Sequence, residues 1–301
     1  MLVCRLSGVV GDCLSVVIVN WNGGLFLEEC LASVAASDPW GGRVEVILVD
    51  NASSDGSGSR ALVRYPEIRL IQNDHNVGFA RAVNQGLHTA SGQLVLILNP
   101  DVTLSPSAIP ALVETLERYP RAAMAGPRLL NPDGTVQASA RREPSAWTGL
   151  FGRSTLLTRL LPGNTLSRRE SPALTHGGGA PAEVDWVSGA CLMARRAAFA
   201  QGGLLDEGFF LFWEDADWCR RHRLAGWQVL YVPAAVAIHR VGVSRAHRRL
   251  RSTVDFHRSA YRYYRKHHLP SPYHPMMAVL VGGLLLSLVR RSLDAVLGRR
   301  P

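Results

Sequence analysis

At 301 residues the chain is long enough to bury a substantial core, as one large α/β unit or as two smaller ones, without staples. Hydrophobic residues make up 47% and charged residues 19%, which excludes an intrinsically disordered chain and leaves a folded enzyme or binding protein. The net charge of +9 suits a phosphate-bearing ligand, an anionic membrane surface or nucleic acid, but no RNP strand or zinc-finger spacing accompanies it, so nucleic acid is set aside.

The first residues lack a charged stretch followed by a long apolar run, so no secretion signal is expected. Cys4, Cys13, Cys30, Cys191 and Cys219 are odd in number and show no paired spacing, as expected of reduced thiols in a cytosolic compartment. Residues 14–19 (LSVVIV) are β-branched and apolar on both faces, which predicts a central parallel strand. After a turn at Asn22, Gly23 and Gly24, residues 25–36 have helical spacing. Residues 44–49 (VEVILV) then repeat the strand signal and end at Asp50, completing a βαβ unit. Residues 51–59 (NASSDGSGS) form a turn-rich loop in which Ser53, Ser54 or Asp55 can cap the next helix. A strand over 68–72, a helix over 76–90 entered through Gly78, and a strand over 94–98 follow. The alternation predicts an open, mostly parallel sheet flanked by helices, with ligand sites at the carboxyl ends of its strands, where Asp50 and Asp101 fall.

Further on, residues 106–119 predict a helix and 124–144 a strand and hairpin around 131–134. Residues 145–182 read as a long irregular loop of the mobile or functional kind. Regular structure returns over 184–193, followed by a helical segment from about Arg195, a helix over 215–225, a strand over 228–232 and a helix over 254–268. Arginines concentrate in the C-terminal third. Among them the apolar run 276–289, about 14 residues long, is shorter than the roughly 20 a spanning helix needs. It predicts either an amphipathic helix at a membrane interface or a helix packed on the core.

Three clusters carry chemistry. In LILNPDVTL (96–104), Asn99 and Asp101 leave a strand end two residues apart and can reach one ligand, such as Mg2+ or Mn2+, which retains positions for phosphate oxygens. Taken alone, Asn-Pro-Asp is equally an ordinary turn. In GFFLFWEDADWCRR (208–221), aromatic residues surround Glu214, Asp215 and Asp217; desolvation there raises a carboxyl pKa and makes a better general base. A helix start with acids opposing the macrodipole is the plain alternative, and Asp217 fits it best. In IHRVGVS (238–244), His239 can bind metal or phosphate and Gly242 allows close backbone approach.

Together SVVIVNWN (15–22), VDNASSDGS (49–57), NVGFARAVNQG (76–86), LNPDV (98–102), VDWVSGACLMARRAAF (184–199), FFLFWEDADWCRR (209–221) and HRVGVS (239–244) resemble, in order, the motif series of family 2 glycosyltransferases with the GT-A fold. Within that family they most resemble bacterial rhamnosyltransferases of polysaccharide and cell-wall precursors, over roughly residues 14–268. The resemblance implies a GT-A domain over 1–245, with a nucleotide half over 14–103 and an acceptor half over 104–245, then a basic and apolar helical extension over 246–301.

It further implies that Val19, Asn20, Trp21, Asp50 and Asn51 hold the base and ribose, with Asp55 shaping their pocket. Asn76, Gly78, Arg81 and Asn84 would line the ribose and diphosphate. Asn99 and Asp101 match the DXD-type motif, with Asn99 on the donor and Asp101 on a divalent metal, Mg2+ or Mn2+, whose coordination His239 completes. Asp215 matches the general base, and Trp186, Ser188, Gly189, Trp213 and Glu214 lie on the acceptor side. Asn51 and Asn99 stand where the family often has acids, and Asn99 lowers the charge of the metal site. The implied reaction is inverting transfer of a sugar, rhamnose from a dTDP donor, to a lipid-linked or growing glycan, by a protein peripheral on the inner face of the cell membrane. UDP- or GDP-sugar donors stay open. A nucleotidyltransferase is disfavoured by the lack of a Gly-rich pyrophosphate loop with a following lysine, and a non-catalytic membrane-associated binding protein by the joint presence of Asp101, Asp215 and His239.

Overall fold

The computed structural model describes residues 13–37, 42–143, 179–240 and 249–268, together with 281–283, 285, 286 and 289. In its first half, strands β1 (Cys13–Asn20), β2 (Arg43–Asp50), β3 (Arg69–Gln72) and β4 (Leu94–Leu98) alternate with helices α1 (Gly24–Ala35), α2 (Ser57–Arg64) and α3 (Phe79–Thr89). The strands pair in parallel in the order β3-β2-β1-β4. The chain order therefore reverses between β1 and β4, which opens a crevice at their carboxyl ends.

Strand β1 is buried from end to end. Leu14, Val16 and Ile18 pack with Leu27 and Leu31 of α1 on one face, and Val17 and Val19 pack with Val83 and Leu87 of α3 on the other. Covering both faces is why this segment is an unbroken apolar run. Each such aliphatic side chain contributes about 1.5–3 kcal/mol on burial. Gly86 lets α3 settle on the sheet, since a methyl group there would collide with Val17.

The second half comprises β5 (Val102–Leu104), α4 (Ala108–Arg118), β6 (Ala122–Leu130), β7 (Ala140–Arg141), β8 (Ala182–Glu183), β9 (Trp186–Val187) and β10 (Cys191–Arg195). A 3-10 turn (Arg196–Ala198), α5 (Phe199–Gly202), α6 (Glu214–Leu224), β11 (Gln228–His239) and α7 (Arg249–His267) follow. Strand β10 runs antiparallel between β4 and β6, β11 lies parallel to β6, and β5 and β8 pair antiparallel with β11. One sheet thus continues across the sequence boundary at 103/104.

Several local expectations change. The sheet is more mixed than the alternation suggested, because side-chain period carries no strand direction. Strand β11 runs past Val232 to His239, with a register shift between Val232 and Val236 that accommodates Pro233. The chain after β6 returns to it through the bridge Leu130–Val136 and the Gln137 N–H to the Leu129 carbonyl oxygen rather than as a paired strand; β7 pairs instead with β9. The N-cap of α2 is Gly56, at φ 72°, without a side-chain cap. Asp55 accepts instead from the backbone N–H and hydroxyl of Ser57 at 3.0 and 2.6 Å.

The irregular loop expected over 145–182 lies outside the described residues up to 178. Of the apolar run 276–289, the described positions are helical, and Val281, Leu285, Leu286 and Val289 are exposed rather than packed on the core. Among the described residues no helix is long and apolar enough to cross a membrane. Helix α7 folds back on the second half: Lys266 Nζ and His267 Nε2 each lie 2.7 Å from Asp217 Oδ1, and Arg262 and Lys266 hold Asp206.

Candidate active site

The strand register aligns Asn20, Asp50 and Gln72 across the carboxyl edge of the sheet. Asn20 Nδ2 donates to Asp50 Oδ2 at 2.9 Å and lies within 3.0 and 2.8 Å of the Ser53 and Ser57 hydroxyls. Asp50 Oδ1 accepts from Ser53 N at 2.8 Å and from Gln72 Nε2 at 3.0 Å. Asn51, also buried, donates to Asn76 Oδ1 at 3.0 Å and accepts from Val77 N at 3.0 Å, while Asn76 caps Gly78 N at 2.9 Å. Gly78 has φ 90°, and a Cβ there would stand 2.7 Å from the Phe210 carbonyl oxygen, so only glycine fits. Asn20, Asp50, Asn51, Asn76 and Gly78 are thereby joined into one wall beside Val19 and the half-buried Trp21.

Other expected donor residues are placed differently. Asp55 is exposed, its Oδ2 accepting from Gly24 N at 2.8 Å, and it ties the loop to the start of α1. Asn84 is buried with its amide engaged: Nδ2 donates to Leu205 O and Glu207 Oε1 at 2.9 and 3.1 Å, and Oδ1 accepts from Leu205 N at 3.1 Å. It braces α3 against residues 205–207. Arg81 is exposed, 3.6 Å from Glu207.

The turn after β4 is closed by Val102 N to Asn99 O at 3.2 Å and pinned by Asn99 N to Ala190 O at 2.8 Å. Pairing of β5 with β11 sets His239 opposite Val102, and Arg240 N donates to Asp101 O at 3.0 Å. This brings His239 Nε2 to 3.4 Å from Asp101 Oδ1, with the residues 7% and 8% exposed. Among the described residues, Asp101 Oδ1 is buried and has no hydrogen-bond partner. An orphaned carboxylate oxygen facing an imidazole nitrogen fits a divalent cation. Among the described residues no group of three or more His, Cys, Asp or Glu forms a closed metal cage. The fit is therefore to an ion shared between these two side chains and a ligand's phosphate oxygens.

Two consecutive non-glycine residues, Phe212 and Trp213, take left-handed φ values of 69° and 67° immediately before α6, a strain of order 1–3 kcal/mol each. This corner turns Asp215 back toward β9 and β10, where Gly189 N donates to its Oδ2 at 2.9 Å and Ala216 N to its Oδ1 at 2.8 Å. Burial raises the Asp215 pKa; those two N–H groups and the charge of Arg141 oppose the rise without cancelling it. Residues 189 and 190 thus bond the metal-type turn on one side and Asp215 on the other. On the same helix Asp217 is wholly buried. Its burial would raise its pKa, but hydrogen bonds from His267 and Lys266 and the Arg221 guanidinium hold it at about 2.

Beside this strip lies a cavity of about 430 Å³ whose lining includes Gln137, Ser139, Arg141, Ser188 and His239. The guanidinium of Arg141, one of the lining residues, lies over the Trp186 ring at 5.1 Å. Trp213 instead packs against Tyr263 and Tyr264 of α7, at 5.1 and 5.6 Å between ring centres, and Glu214 is buried at the start of α6. Gln72, Gln137 and Arg141 escaped the sequence reading. Gln72 reads only as the end of a strand, and nothing in QASARR (137–142) announces Gln137 or Arg141, whose partners His239 and Trp186 lie far away in the chain.

The family model described as glycosyl transferase family 2 matches residues 15–176. The N-acetylglucosaminyl-diphospho-decaprenol L-rhamnosyltransferase of Mycobacterium tuberculosis (strain ATCC 25618 / H37Rv) is 35% identical over 302 residues, covering 94% of this chain and 94% of its own. The low-salt glycan biosynthesis hexosyltransferase Agl10 of Haloferax volcanii is 27% identical over 78% of this chain and 70% of its own. Among solved structures, the mannosyltransferase PcManGT from Pyrobaculum calidifontis, in complex with GDP-Man and Mn2+, is similar with a TM-score of 0.57 at 19% identity, covering 96% of this chain and 76% of that one. GalNAc-T7 with UDP, GalNAc and Mn2+ gives a TM-score of 0.58 at 19% identity, over 77% and 44%. These two structures share the fold.

Proposed function

The chain belongs to glycosyl transferase family 2, and from that premise we propose that it moves L-rhamnose from dTDP-rhamnose to a hydroxyl of a lipid-linked or growing glycan, with inversion at the anomeric carbon. The observation that carries the donor and acceptor is the 35% identity, across 94% of both chains, to a rhamnosyltransferase whose acceptor is N-acetylglucosaminyl-diphospho-decaprenol.

In this reading the wall formed by Asn20, Asp50, Asn51 and Asn76 frames the nucleoside, with Val19 and Trp21 beside it. Asp101 and His239 hold Mg2+ or Mn2+, and the bound cation supplies charge neutralisation for the departing nucleoside diphosphate. The acceptor enters by the cavity lined by Ser139, Arg141 and Ser188. Asp215, with its raised pKa, accepts the hydroxyl proton as that oxygen attacks from the face opposite the leaving group. The Gly189 N–H holds the carboxylate in orientation.

The exposed apolar side chains at Val281, Leu285, Leu286 and Val289, next to the basic C-terminal third, support docking on the inner face of an anionic membrane. Deleting residues 274–301 then shifts the protein from the membrane to the supernatant fraction; unchanged sedimentation with membranes rejects the docking.

A thermal-shift panel of dTDP, UDP and GDP with and without Mn2+ tests the donor. A ligand at about 100 times its Kd adds about 2.7 kcal/mol, and dTDP with Mn2+ gives the largest rise. A larger rise with UDP or GDP reassigns the base, and no transfer of rhamnose to polyprenyl-diphospho-N-acetylglucosamine rejects the acceptor.

A further inference from the structure

We infer that Gln137 is a positioning residue of the metal site: it fixes the tautomer of His239 so that Nε2 presents a lone pair toward Asp101 and the cation. The inference rests on the metal reading above and concerns what makes His239 competent to act in it.

The orientation of the Gln137 amide follows from its neighbours. One terminal atom lies 2.7 Å from the His239 carbonyl oxygen, 2.8 Å from Asn131 Oδ1 and 3.3 Å from the Leu130 carbonyl oxygen. Two of these are main-chain oxygens that only accept, so this atom is the NH2 group. The other terminal atom is then Oε1, and it faces His239 Nδ1 at 3.0 Å. An amide oxygen cannot donate, so Nδ1 carries the hydrogen. In the neutral ring this leaves Nε2 bare, 3.4 Å from the unpartnered Asp101 Oδ1. Without Gln137 the ring is free to place its hydrogen on Nε2, toward Asp101, where it fills the space a cation needs. The anchor is rigid, because the amide that holds the Nδ1 hydrogen also grips the backbone of the same histidine. Metal-bound histidines usually donate their second N–H to such a partner, and removing it weakens the metal roughly 10- to 100-fold.

The test measures Mn2+ binding by the free-ion electron paramagnetic resonance signal, with dTDP present, on the full chain and on its variants. Gln137→Met removes the acceptor at similar volume and weakens binding by roughly 10- to 100-fold. Nitrogen-15 spectra of labelled histidine report the tautomer directly: His239 carries its hydrogen on Nδ1 in the parent and loses that preference in Gln137→Met. Equal Mn2+ affinity in the parent and Gln137→Met overturns the inference alone, as does a parent spectrum with the hydrogen on Nε2. No Mn2+ binding by the parent overturns the metal reading itself and this inference with it.

Discussion

Asp50 and Asp101 stand at the same edge of one sheet, nearly sealed from solvent at 2% and 8% exposure, yet their surroundings differ. Asp50 accepts from Asn20, Gln72 and the Ser53 N–H, whereas Asp101 keeps a buried oxygen with no donor. The contrast recurs within one turn of α6. Asp217 is held by Arg221, Lys266 and His267, while among the described residues Asp215 accepts hydrogen bonds from backbone N–H groups alone and its pKa rises. A carboxylate saturated by fixed donors stabilises the fold. One left short of partners, or kept basic, is available to a ligand or a proton.

The comparison breaks first at Asp215. Asp215→Asn lowers kcat by at least about a hundredfold while nucleotide Kd stays within a few-fold, as expected when a general base is lost; near-parental turnover would remove Asp215 from the mechanism. Because its pKa is raised and the base must be ionised, the parent's kcat/KM falls on acidification at a pH above the ordinary aspartate range. Next comes the architectural carboxylate. Asp50→Ala removes the acceptor of three donors and costs about 3 kcal/mol in urea unfolding, whereas Asp101→Ala in metal-free protein costs under about 1 kcal/mol, because no donor among the described residues bonds its buried oxygen. Equal losses would erase the distinction.

The smallest effect belongs to Asp217. Its folded-state pKa, about 2, lies below the unfolded value near 3.9, so its stabilisation is fully present above about pH 4. It is lost as pH falls from there through 2. About 2 kcal/mol of stability therefore disappears over that interval, and Asp217→Asn flattens the acid side of the unfolding curve; an unchanged pH dependence would show that Arg221, Lys266 and His267 do not act through this carboxylate.

The first half was legible because β1 and β4 are buried along their whole length and its strands end in polar turns. The second half was less so. The direction of β10 is invisible to side-chain period, β5 is three residues long, and the limb carrying Gln137 and Arg141 pairs with β9 rather than with its sequence neighbour β6. Asp101, His239 and Asp215 could be named from motif order, but their surroundings could not. The 3.4 Å approach of His239 to Asp101 depends on β11 continuing through the irregularity at Pro233, where a local reading ends the strand. Asn84 shows what a motif leaves out: its amide bonds residues 205–207, a partnership far away in the chain that braces α3.

Because β10 lies between β4 and β6, recombination between relatives is restricted in where it can cut. A crossover at 103/104 would flank one parent's β10 with the other parent's β4, setting Met193 opposite a foreign residue at Leu96 while Ala125 stays native on the other side. An interior seam would have to be matched anew. A crossover in the Arg196–Ala198 turn spares that seam but delivers Asp215 from the incoming parent, separated from the Gly189 N–H that orients it. A chimaera that takes everything from β4 through α6 from one parent keeps both the β10 seam and the pairing of Asp215 with the Gly189 N–H.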